Sequence, residues 1–294
     1  MEGKRVLGID ENGLGPLLGP LVVTGTLLKF KNSPVSWFEG IADSKLFFKT
    51  RSKNNFSLIE ETVISFFFLA EKKMPSSPAE IFYAFTRNMN CPHAVNICSG
   101  RIPSKFMWAD SEKTWKRCLE FSRWAEEKGI EIESIYSDFI CPFSLNQFTK
   151  THSKLFLDFV SFCKIMKAAT DKNNLDVQTG KIGGLKFYSP YLRHVMNECD
   201  TKIISEKGER SLYSLRQKEV EFKLGFFMDV EKKSFPAAIS SIIGKYIREL
   251  SMFSIRESLG IKNDISGYHD RKTKRLTNDI NLGRIPRECV FRNK

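Results

Sequence analysis

Apolar positions in this chain fall into alternating short runs and longer helical stripes. VLGI (6–9) and LVVTGTLLKF (21–30) are compact apolar segments, the second rich in β-branched residues, and both read as strands. NNFSLIEETVISFFFLA (54–70) places Phe56, Ile59, Val63, Phe66 and Phe67 at helical spacing. The stretch from KKMPSSPAEIFY through CPHAVNICSGRIPSK is rich in breakers and reads as mixed loop and short helix. TWKRCLEFSRWAEEKG (114–129) is helical and stops at a glycine. IEIESIYSDF (130–139) alternates like a half-buried strand, and HSKLFLDFVSFCKIMKAA (152–169) is helical. LDVQTGKIGG (175–184) predicts a short strand running into a Gly-Gly turn, and SPYLRHVM a short helix. TKIISE, SLYSLR and VEFKLGFFMDVE predict further strands. SFPAAISSIIGKYIRELSMFSIRESLG (234–260) is the longest helix, with Pro236 in its first turn and small residues along one side. Strands and helices intermix, which predicts one α/β domain over 1–294. It carries an inserted segment at about 71–128 and a basic helical segment from about 261.

Composition narrows the class. The chain has 294 residues, enough for a sizeable core, and 41% of them are hydrophobic, which excludes a disordered chain. No apolar run reaches the ~20 residues of a membrane helix. MEGKR leads straight into the first strand, leaving no room for a cleavable signal, so a cytoplasmic protein that does not engage membranes is expected. Seven scattered cysteines, with no CxxC pair, fit free thiols better than a zinc site at CPHAVNIC (Cys91, His93, Cys98). The net charge is +12, and residues 269–294 hold eight Lys or Arg against three Asp or Glu. Such an excess steers polyanions.

The chemistry gathers at VLGIDENGLGPLLGPLVV (6–23). Asp10 and Glu11 end the first strand, and their mutual repulsion is of the kind a divalent cation bound through oxygen removes. Gly13 and Gly15 leave backbone amides open to close approach by a phosphate or sugar. IADSK carries Asp43, Ser44 and Lys45. MDVEKKSFPAAISSIIGKYIREL puts Asp229 and Glu231 ahead of the long helix, and SGYHDRKTKRL sets Tyr268 behind a glycine.

This ordered set resembles the type 2 ribonuclease H family, including its bacterial type 3 branch. DENGLG matches the family's Asp-Glu-x-Gly-x-Gly turn, DSK (43–45) its Asp-Ser-Lys, ISSIIGKYIREL (239–250) its small-residue helix block, and Gly267-Tyr268 its Gly-Tyr. Counting back from the helix block places the fourth acid at Glu231, the type 3 choice. The resemblance covers roughly 1–60, 130–185 and 225–280.

It implies a ribonuclease H-like mixed β-sheet flanked by helices. It further implies a monomeric endonuclease that cuts the RNA strand of an RNA/DNA hybrid or RNA–DNA junction, using Mg²⁺ or Mn²⁺ in a two-metal site. Asp10, Glu11 and Glu231 would be the metal ligands. Gly13, Leu14, Gly15, Lys45 and Tyr268 would contact nucleic acid, and Arg271, Lys272, Lys274 and Arg275 the complementary strand.

The sequence departs from the pattern twice. Leu14 replaces a usually basic residue, and no acid stands near Thr179–Gly180, where the third carboxylate is expected. Asp176 is the candidate entered in its place, although it lies ~13 Å back along the strand. Asp138 and Asp229 are the alternatives. A domain that binds hybrid without cutting it, and a phosphohydrolase acting on small phosphoesters, are the competing readings.

Overall fold

A computed structural model describes residues 3–31, 53–87, 91, 95–262 and 265–293. Seven strands form one mixed sheet: β1 (Lys4–Asn12), β2 (Leu21–Phe30), β3 (Ile130–Ile140), β4 (Leu175–Gly180), β5 (Asp200–Glu206), β6 (Arg210–Gln217) and β7 (Val220–Phe227). Their spatial order is β3-β2-β1-β4-β7-β6-β5. β1 runs antiparallel to β2 and parallel to β4, and β4 runs parallel to β7. β1, β4 and β7 therefore end at the same edge, where α/β sheets form their binding crevices.

Among the described residues, eight α-helices cover the faces: α1 (Lys53–Glu71), α2 (Pro78–Phe85), α3 (Ser111–Lys128), α4 (Pro142–Phe148), α5 (Lys154–Lys167), α6 (Ser189–Val195), α7 (Phe235–Leu259) and α8 (Arg271–Asp279). Alternation along β1 and β2 divides the apolar residues. Val6, Val22 and Leu28 join α1, α2, α3 and α7 in one core. Leu7, Ile9, Leu21 and Val23 join α4, α5 and α6 in the other. The sequence marked 71–128 as an insertion of loop and short helix. Much of it is built into the first core: Trp108 stacks on Phe56 at 5.0 Å, and Trp124 packs on Phe235 at 5.1 Å. Trp115 stays half exposed.

α7 lies unusually close to β1. Ser234 caps its start by accepting from the Ala237 amide, and Gly260 closes it in the left-handed conformation. The Ser240 hydroxyl donates to the Gly8 carbonyl at 2.9 Å. A third, smaller core holds Leu18, Met252, Ile255, Val290 and Phe291. There the C-terminal strap pairs with the turn after β1, through the Leu18–Phe291 bridge and the Arg292 amide donating to the Leu17 carbonyl. Asn146 of α4 holds the strap, donating to the Phe291 carbonyl and accepting from the Asn293 amide.

Candidate active-site cleft

The parallel register brings the chemistry together. Ile9 pairs with Thr179 and Gly180 with Phe227, so Asp10, Gly180 and the end of β7 lie side by side. After β7 the chain turns sharply at Asp229 (φ 51°) and makes a 3₁₀ turn, Val230–Lys232, that carries Glu231. Asp10, Gly180, Asp229 and Glu231 line one cleft of about 620 Å³.

Its electrostatics are those of crowded acids. Burial, with repulsion from Glu11 and Glu231, pushes the Asp10 carboxyl up to about 8, against a hydrogen bond from Ser241. Burial also raises Glu11, which is held by the Leu14 amide at 3.1 Å and by the charges of Arg292 and Arg248. The two neighbours thus do different work: Asp10 faces the cleft, while Glu11 braces the turn.

That turn is firmly built. Gly13 is buried with φ 99°, and a Cβ there would meet the Arg248 side chain at 2.7 Å. Arg292 donates to the carbonyls of Gly13 and Gly19. Gly15 is exposed and has open space around it, so of the two glycines only Gly15 offers an accessible backbone. Leu14 packs toward the second core. Tyr268 is exposed and stands 5.2 Å from the Arg248 guanidinium, beside Gly267, whose carbonyl accepts from the Leu17 amide. Asp43, Ser44 and Lys45 lie outside the described residues.

The other acid candidates separate. Asp176 pairs across from Val6, at the far end of β4, and bonds Lys4 at 3.0 Å; it stands away from Asp10. Asp138 sits on β3, two strands from β1, taken up by Ser161 and Lys164. Asp229 lines the cleft and bonds Lys232 at 3.3 Å. The position that faces Asp10 is Gly180: a Cβ there would lie 3.4 Å from Asp10 Oδ1. The carboxylate expected from element order is thus replaced by a hydrogen atom. Among the described residues, no group of three or more His, Cys, Asp or Glu is arranged to hold a metal ion.

Three residues of this region escaped the sequence reading. Asp158 of α5 is fully buried, with no hydrogen-bond partner for either carboxylate oxygen among the described residues. Burial and the charges of Glu11 and Asp10 raise it far above the usual carboxylate range. Its signal was an acid within the apolar helix face LFLDFV. Arg248 stood unremarked inside the helix block ISSIIGKYIREL, and Arg292 gave no signal, since long-range contacts alone bring it to the turn.

No protein-family model matches the chain. A 42-residue segment is 45% identical to ribonuclease HII of Methanocella arvoryzae, covering 14% of this chain and 19% of that protein. Over that segment the chain is similar to a type 2 ribonuclease H. Solved structures to which the chain is similar include the following three. The PCNA:RNase HII complex from Archaeoglobus fulgidus is 15% identical, with 98% and 93% of the two chains covered and a TM-score of 0.44. Pyrococcus horikoshii ribonuclease H2 is 13% identical, with 93% and 85% covered and a TM-score of 0.44. Bst-RNase HIII in complex with Mn²⁺ is 12% identical, with 99% and 66% covered and a TM-score of 0.46. Among the described residues, no helix is long and apolar enough to cross a membrane.

Proposed function

We propose that this protein is a metal-dependent endonuclease that hydrolyses the RNA strand of RNA/DNA hybrids. The observation that carries the reading is the meeting of Asp10 and Glu231 in one cleft at the carboxyl ends of three parallel strands. Asp10 there is left with a carboxyl raised by burial and neighbouring acids. An all-oxygen, negatively charged donor set of this kind suits Mg²⁺ or Mn²⁺. Asp10 and Glu231 would hold the cation, with Glu11 adjacent. The bound ion would supply charge neutralisation at the phosphate and an activated water.

The chain's own residues do the rest. The open backbone of Gly15 admits a ribose or phosphate. Tyr268 presents its ring beside that turn. Arg248 and Arg292 hold Glu11 and the Gly13 carbonyl, fixing the turn's shape before substrate arrives.

A labelled hybrid incubated with Mg²⁺ or Mn²⁺ tests this directly: cleavage confined to the RNA strand and stopped by chelation is expected. Glu231→Gln should lower turnover by at least about 100-fold, while Asp229→Asn, removing a side chain that bonds Lys232, should stay within about 10-fold. Equal losses in the two would move the ligand from Glu231.

Gly180 favours a second reading, a hybrid-binding domain without hydrolysis. Metal-independent hybrid binding with no product would support it. Gly180→Asp bears on the cation seat itself, because position 180 has room for a side chain facing Asp10. The variant should bind Mn²⁺ at least about 10-fold more tightly by calorimetry. Unchanged affinity would count against a cation at Asp10.

A further inference from the structure

The wall of the cleft beside the acids is formed by two segments. One is the loop that follows β4, Lys181–Phe187, and the other is the β5–β6 turn at Lys207–Gly208. The loop has a fixed shape. Ile182 is buried, and its amide donates to the Tyr188 hydroxyl at 3.1 Å. Gly183 adopts φ 48°, which disfavours any side chain, and a Cβ there would press on the end of the Leu155 side chain at 2.4 Å. Tyr188 anchors the far end by stacking on Phe226 at 3.7 Å. The two segments are tied together by Lys181 Nζ donating to the Lys207 carbonyl at 3.1 Å.

What this frame presents is chemically distinctive. Phe187 is 57% exposed, although its neighbour Tyr188 is fully buried. Lys186 and Lys207 are exposed, and among the described residues Lys181, Lys186 and Lys207 enter no ion pair. Glu206, the nearest acid on this wall, is occupied by the Tyr213 hydroxyl and the amides of Tyr188 and Ser189. Gly184 and Gly208 have nothing within 4 Å of where a Cβ would stand, so backbone is open on both segments. Cations, an exposed ring and bare backbone along one groove are the components of a single-strand binding track. A groove of about 620 Å³ is of a size for a short stretch of one strand.

We infer that this wall is a binding track for a single nucleic-acid strand. Lys186 and Lys207 take phosphates, and Phe187 stacks on an unpaired base where the strand runs out of the hybrid beside Asp10 and Glu231. The inference rests on the nuclease reading only for the identity of the scissile bond; strand binding is measured separately.

The test uses the full chain carrying Asp10→Asn, so that substrate is not consumed. Anisotropy is measured with a fluorescent hybrid bearing a single-stranded RNA extension. Phe187→Ala should weaken binding roughly 5- to 100-fold. Lys186→Ala with Lys207→Ala should flatten the slope of log affinity against log salt by about 1.4. All three side chains are exposed, so unfolding transitions should match the parent's. Affinity and slope unchanged in both variants would overturn the track. A nucleoside monophosphate that competes as tightly as the oligonucleotide would also overturn it, in favour of a small-molecule pocket. Cleavage of hybrid by the parent chain together with silent variants leaves the nuclease reading standing and removes the track. Weakened binding in a chain that cleaves nothing does the reverse.

Discussion

Asp10→Asn should reduce metal-dependent hybrid cleavage to background while making the cation-free protein more stable. The first effect follows from position. Asp10 is the acid that faces both Gly180 and Glu231 across the cleft, and an amide there cannot supply the negative oxygen a hard cation needs. The second follows from proton linkage. Asp10 is raised from 3.8 to about 8 in the folded chain. Between those values the folded state keeps a proton that the unfolded state has lost, so stability falls as pH rises from about 4 to about 8. Asparagine carries no charge to bury and escapes that fall. Asp10 retains some contact with solvent, which discounts the effect to about 1–3 kcal/mol at pH 8. Urea unfolding in chelator at pH 5 and pH 8 measures it. A variant less stable than the parent at pH 8 would show that Asp10 is a structural acid, and undiminished cleavage would remove it from the reaction.

Gly8→Ala should be the most damaging single-methyl change in the sheet. An added Cβ would lie 2.0 Å from the Ala237 nitrogen and 2.3 Å from the Pro236 carbonyl carbon, both backbone atoms at the start of α7. Rotating a side chain gives no relief. α7 must lift from β1, which strains the Ser240–Gly8 hydrogen bond and moves the turn that carries Glu231. A cost of about 3 kcal/mol or more is expected, at the upper end for overpacking. That is a large share of a domain's stability. Thermal unfolding of the variant decides it; a loss below about 1 kcal/mol would mean that α7 slides freely on the sheet.

Much of this arrangement could be read along the chain. The strands and long helices follow from alternation and from helical apolar stripes, because burial on a sheet face and on a helix face impose those periods directly. Asp10 and Glu231 became candidates through the resemblance, by the turn that follows Asp10 and by counting back from the helix block to Glu231. The empty position near Gly180 was visible for the same reason. Other features were not legible. α4 has only seven residues and is capped by Cys141, too short for a helical stripe to show along the chain. Breakers between 72 and 105 hide the packing of α2, which with α3 completes the core over α1. Asp176 stood in for the missing acid because it shares the strand face of Gly180, and its pairing with Val6 puts it at the far end of β4, in line with the ~13 Å offset along the strand. Asp158 and Arg292 reach the site only through tertiary contacts, which no local pattern records.

The C-terminal strap has a consequence for how the protein is made. The turn bearing Glu11, Gly13 and Gly15 is closed by Arg292, through the carbonyls of Gly13 and Gly19, and by the Arg292 amide on Leu17. The turn leaves the ribosome before its clasp, which follows 279 residues behind Gly13. During synthesis the turn stays unfastened until residues 290–293 emerge, so the end of β1 waits for all the strands and helices in between before its turn is clasped.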